Sequence, residues 1–343
     1  MGDHFGSIRN GRRKRFLTIA STLVLAVALV VAVAPPVKAQ SAGGQGLTAP
    51  PPMPQWQIDA GGKMEFDVVS VKQDTAEPSA STRNSNIPLG PQDLFSSTGG
   101  LLSATNWRLT QYMIFAYKLT PNQLQAVQSQ LPKWADTDRY DIQARVSGNP
   151  TKDQFRLMMQ ALLADRFKLA IHYEIRQVPV LALVLDKPGK LGPQIQPHPN
   201  DAPCSTAPPP PGSAPGPPPT VAGGFPEPCG AVDGWPSQNP PGRIRLGARD
   251  LTMEMLATSI DNPAAGIDRP VLDKTGLTGK YDFIMEFTPQ INGPLPPGVN
   301  FTPDESGPTF LEALKEQLGL KLESQTGPVD VIVVDHVERP SEN

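Results

Sequence analysis

The sequence predicts an α+β protein made of two tandem β-α-β-α-β-β repeats, with a mostly antiparallel sheet and helices on one face. Three observations carry that reading. First, the phrase Thr137-Asp138-Arg139-Tyr140-Asp141-Ile142 returns as Thr278-Gly279-Lys280-Tyr281-Asp282-Phe283. Its neighbours keep step: Leu109-Thr110 with Met113 answers Leu251-Thr252 with Met255, and residues 161–169 answer 313–322 with one residue inserted. Self-similarity of this length is the mark of an internal duplication. Second, both phrases open a period-two run, which buries one strand face and wets the other. Third, each run is followed by a capping box, Thr151 with Gln154 and Thr309 with Glu312, in which hydroxyl and side chain satisfy each other's backbone donors.

Taken in order, residues 66–72 form a Val-rich strand, and the polar stretch to about Gly99 has no period. Each repeat then begins with a short strand, 101–105 and 243–246. A helix follows, with Asn106 and Asp250 as candidate N-caps and Leu109, Met113 and Ala116 as its apolar stripe. In the next strand Tyr140, Ile142, Ala144 and Val146 alternate with Arg139, Asp141, Gln143 and Arg145. The second copy sets Tyr281, Phe283, Met285 and Phe287 against Lys280, Asp282, Ile284 and Glu286. After the capping boxes, Phe155, Met158, Met159, Leu162 and Leu163 make a helical stripe, as do Phe310, Leu311, Leu314 and Leu318. Two strands close each unit as a hairpin: 168–176 with 178–185, and 321–324 with 329–337, the second turning at Gly327-Pro328.

The chain has 343 residues and 41 prolines, clustered around 50–54, 203–219 and 289–303, which marks those stretches as linkers or loops. The expected organisation is an export segment at 1–39, a Gly/Pro-rich tether at 40–62, a first repeat with its leading strand at 63–188, a Pro-rich insertion at 189–241, and a second repeat at 242–343. A net charge of −3 with both signs mixed offers no basic footprint for nucleic acid.

Export is written at the start. Arg12, Arg13, Lys14 and Arg15 precede an apolar run at 16–34, and Val37-Lys38-Ala39 places small residues where a signal peptidase reads. The segment is either a cleaved signal peptide or an uncleaved membrane anchor, and either way the remainder is exported, to the periplasm or beyond, held at the inner membrane only if that anchor persists. In an oxidising compartment Cys204 and Cys229, the only two cysteines, are expected to form a disulfide that tethers the insertion.

No nucleophile elbow, zinc-peptidase helix, phosphate loop or dinucleotide fingerprint occurs. His336 beside Asp335 could orient an imidazole as a base, but no nucleophile is tied to it. No cofactor and no metal ligands are assigned. The best candidate for specific contacts is the loop of Asp273, Lys274, Thr275, Gly276, Gly279 and Lys280, whose glycines can take positive φ and expose backbone donors.

Residues 66–72, 161–169, 270–283 and 316–323, with the ending Asp335-His336-Val337-Glu338-Arg339-Pro340, resemble the soil-associated, acidobacterial family of exported proteins with a domain of unknown function. Similar domains stand beside membrane-embedded sensor peptidases, and this chain lacks the peptidase part, so the resemblance implies sensing or interaction in the envelope. The expected function is therefore a non-catalytic binding module whose partner is an envelope protein or a small ligand. The alternatives are an envelope hydrolase using His336 with Asp335, and a purely structural envelope protein.

Overall fold

The computed structural model describes residues 53–340 except 78, 80–81, 208–216, 263–265 and 292–300. The export segment and tether residues 40–52 lie outside the described residues. Among the described residues no helix is long and apolar enough to cross a membrane.

The first half runs α1 (Gln55–Asp59), β1 (Val68–Asp74), β2 (Asn84–Ser85), β3 (Leu101–Arg108), α2 (Leu109–Tyr117), α3 (Pro121–Gln128), α4 (Trp134–Thr137), β4 (Arg139–Arg145), α5 (Lys152–Arg166) and β5 (Ala170–Leu185). The second runs β6 (Ile195–Pro197), β7 (Val232–Pro236), β8 (Ile244–Leu251), α6 (Met253–Ile260), β9 (Val271–Asp273), β10 (Tyr281–Phe287), α7 (Phe310–Leu318) and β11 (Leu320–His336). Two antiparallel sheets have the orders β1-β4-β3-β2 and β6-β10-β8-β7, and a third has the order β11-β5-β9. The short β5–β9 contact is parallel.

Each four-stranded sheet covers its own core. Tyr140 and Ile142 on β4 pack with Met113 and Phe115 of α2 and with Phe155, Met158 and Leu162 of α5. Phe283 and Met285 on β10 pack with Leu256 and Ile260 of α6 and with Leu314 and Leu318 of α7. The period-two reading of β4 holds, since Tyr140, Ile142 and Ala144 are buried while Gln143 and Arg145 are exposed. Both capping boxes form: Thr151 Oγ1 accepts from Gln154 N at 3.2 Å, and Thr309 Oγ1 from Glu312 N at 3.3 Å.

The closing hairpins do not form. β5 and β11 are single long strands that pair with each other from Leu185↔Leu320 to Ala170↔His336. Gly327, the expected turn, lies opposite Val178 in the middle of this ribbon. Each arm therefore begins in one core and ends in the other: β5 leaves Leu169 in the first and delivers Leu181 and Leu183 to the second, while β11 starts at Leu320 in the second and ends with Ile332 in the first. Local pattern does not choose between a hairpin and a straight ribbon, because the deciding burial, four consecutive residues from Val180 to Leu183, comes from the second core.

The expected N-caps also differ. Arg108 precedes α2 without a side-chain cap, and Thr252 caps α6 through Met255 N. Asn106 and Asp250 instead stand at positive φ, 59° and 54°, beside register shifts in the β3–β4 and β8–β10 pairings. Asp141 and Asp282 accept their backbone N–H groups at 2.9 and 3.0 Å. A carboxylate thus satisfies the donor that a bulge removes from the ladder. The insertion is also more than a linker, because β6 and β7 form both edges of the second sheet.

Candidate functional site

The loop after β9 is held by its own side chains. Asp273 Oδ1 accepts from Thr275 N at 2.9 Å and from Thr275 Oγ1 at 2.8 Å, and Thr275 Oγ1 accepts from Leu277 N at 3.1 Å. Gly276 and Gly279 take φ of 69° and 91° with open space around them. The six predicted residues part company from there. Asp273 and Lys274 line a groove on one side, whereas Lys280 reaches Asp250 Oδ2 at 2.6 Å.

Asp335 and His336 are not brought together. Asp335 turns across the ribbon to His172 Nδ1 at 2.9 Å, while His336 Nε2 meets Glu338 at 2.8 Å. The hydrogen bond that His172 donates to Asp335, helped by Glu174, holds the exposed imidazole above its usual range.

Asp273 and Lys274 belong to the larger of two joined cavities, of about 640 and 550 Å³. Thr120, Gln123, Glu254, Thr258 and Asp330 line both, so the two form one groove running between α3, α6 and the ribbon. Trp56, Tyr117 and Tyr173 supply aromatic surface at one end. The loop forming that wall is fixed by Arg156, whose fully buried guanidinium donates to the carbonyls of Pro91 at 2.9 Å and Gln92 at 2.7 Å and meets Asp93 at 3.0 Å. Burial opposes the charge on Asp93, but Lys118 and Arg156 outweigh it and hold the carboxyl below its usual range. Asp261, at the other end, is pushed up by burial despite hydrogen bonds from Thr120 and Asn122. Beneath the wall, burial together with Arg156 pushes the Lys152 ammonium down to about 7.

Cys204 and Cys229 form a disulfide with Cα atoms 5.6 Å apart. Beside it lies a cluster that sequence reasoning missed. His198 Nδ1 donates to Asp282 Oδ1 at 2.6 Å, which leaves Nε2 facing Cys204 Sγ at 3.8 Å and Asp250 Oδ1 at 4.0 Å. The imidazole and the Asp282 carboxylate are nearly sealed from solvent, with 8% and 4% of their side chains exposed. A cavity of about 540 Å³ opens next to Cys204, Arg249 and Asp282. The only sequence signal was His198 standing six residues before Cys204; the two carboxylates come from β8 and β10 and are joined to them only by the fold.

Two sheets with separate cores, bridged by a shared ribbon over an open groove, describe a two-lobed α+β protein of mostly antiparallel strands. Residues 110–337 match the model of the family described as Protein of unknown function (DUF3738), and the chain belongs to that family. No curated protein and no solved structure matches it.

Proposed function

We propose that this is an exported envelope protein, built from two related units, that binds a partner in the groove and does not catalyse a reaction. The observation that carries the binding reading is the continuity of the groove beneath the ribbon, with residues contributed by both halves. Concave sites with aromatic walls and a few polar groups at a joint between lobes are the usual form of a binding site. The duplication is supported by element order and by the matched placing of Asp141 with Asn106 and Asp282 with Asp250. The disulfide is compatible with export.

The groove favours a basic, partly apolar peptide segment. Five carboxylates line it, Asp93, Glu254, Asp261, Asp273 and Asp330, against Lys118 and Lys274. Lys118 is already engaged by Asp153 at 2.9 Å and Asp93 by Arg156 at 3.0 Å, which leaves Glu254, Asp261, Asp273 and Asp330 against Lys274, so the field in the groove is negative. A short peptide alternating lysine and leucine, titrated calorimetrically against the exported protein, should bind with a strong dependence on salt. Charge reversal by Glu254→Lys with Asp330→Lys should remove that binding while the melting temperature holds; unchanged binding would overturn the groove as the site.

A further inference from the structure

We propose that the cluster beside the disulfide is a redox-gated site for a zinc-like divalent cation, with His198, Cys204 and Asp250 as ligands once the disulfide is opened. The ligand atoms of these three residues lie within 4.8 Å of one another. A tetrahedral ion with bonds of ~2.0–2.3 Å holds its ligands ~3.3–3.8 Å apart, so the 3.8 Å between Cys204 Sγ and His198 Nε2 and the 4.0 Å from Nε2 to Asp250 Oδ1 need only a small closure. Nitrogen, thiolate sulfur and one carboxylate oxygen suit a borderline cation, and Cys204 also lines the neighbouring cavity.

The surroundings match such a site in a second respect. A metal-binding histidine ordinarily gives its other ring N–H to a carboxylate, which fixes the tautomer and aims the free nitrogen at the ion. Asp282 does this for His198, and the buried pair leaves Nε2 as the atom facing Cys204 and Asp250. The equivalent place in the first sheet is filled differently: Asp74, at the end of β1, accepts from the Asn106 amide at 2.7 Å. There the Asn106 amide donates to Asp74 and also to the Ala76 carbonyl at 3.1 Å. In the second sheet the residues at the same two places are His198 and Asp250, which present a ring nitrogen and a carboxylate oxygen 4.0 Å apart. Asp250 keeps its other oxygen on Lys280.

The gate is the bond to Cys229. While it stands, the Cys204 sulfur carries no charge to offer an ion. A dithiol reductant transfers two hydrogens, becoming a disulfide itself while Cys204 and Cys229 each become a thiol. Cys204 then releases its proton as its sulfur binds the cation. Cys229 is fully buried and is not one of the three groups that cluster, so it is assigned no part in coordination.

Cobalt(II) is the probe, because a thiolate ligand gives it a near-ultraviolet charge-transfer band. Oxidised protein should show no band, reduced protein should bind one equivalent with the band, and Cys229→Ser should do so without any reductant. In the Cys229→Ser background, His198→Ala should abolish the band, and Asp282→Asn should weaken affinity by about 10–100-fold. Circular dichroism and a thermal melt of each variant separate loss of the site from loss of the fold. A folded Cys229→Ser protein without the band, or a band that survives His198→Ala, would overturn the assignment.

Discussion

Asp282 accepts the backbone N–H of Asp250 at 3.0 Å, at a point where Asp250 has left the strand ladder with φ of 54°. Asp141 does the same for Asn106. The expected role of Asn106 and Asp250 as helix caps put the right residues in the right neighbourhood with the wrong partners. A carboxylate one residue after the strand tyrosine reaches the bulge of the neighbouring strand, and so does the basic residue before it: Arg139 donates to Asn106 O at 3.3 Å and Lys280 to Asp250 Oδ2 at 2.6 Å.

Removing Asp141 should therefore orphan the backbone donor of Asn106, a fully buried residue. Asp141→Ala is expected to cost about 1–3 kcal/mol, and Asp141→Asn, which keeps an acceptor oxygen, clearly less. Urea denaturation of the two variants checks this. Equal losses would mean that the charge, not the acceptor, matters at this position.

The parts of the fold legible in the sequence are those set by local physics. The capping boxes at Thr151 and Thr309 and the alternation of β4 depend on residues a few places apart, and each is found where the pattern puts it. Partner choice is not local. The residues on either side of Gln177 and Gly327 suit a strand whether the chain folds back or runs on, and burial of Leu181 and Leu183 in the second core decides the matter. The His198 cluster was hidden for the same reason. His198, Asp250 and Asp282 sit on three separate segments, and only the order β6-β10-β8 brings them to one end of a sheet.

The end of α7 gives a second test. Gly319 caps the helix at φ 70°, and a Cβ there would stand 2.6 Å from Gly192 N. Lys168 holds the matching place after α5 at φ 52°, exposed to solvent. The left-handed conformation alone costs an L-residue about 1–2 kcal/mol, and at Gly319 a backbone collision adds to it. Gly319→Ala should lose more than about 2 kcal/mol, while Lys168→Gly, which removes only the φ cost, should gain at most about 1–2 kcal/mol. Thermal melts of both variants compare the two magnitudes; a loss at Gly319 no larger than the gain at Lys168 would exclude the collision.

Lys152 makes the stability of the first core depend on pH in a direction that can be stated in advance. Its ammonium is buried with Arg156 close by and donates to Gln92 O at 2.6 Å, and its folded pKa falls to about 7. The unfolded chain keeps the ordinary value near 10.4. Between those values the unfolded state binds more protons than the folded one, so stability rises with pH. The favourable contribution is complete above the unfolded value and is lost as pH falls through about 7, below which the protein carries the full cost of a buried charge. Lys152→Met keeps the length of the stem and removes the titration. The variant's stability minus that of the parent should therefore be largest near about pH 6 and fall steadily toward about pH 9, since all other groups cancel in the difference. Urea midpoints at several pH values give this difference curve directly. A flat curve would show that Lys152 stays charged in the folded protein, with Asp93 and Asp153 compensating its burial in full.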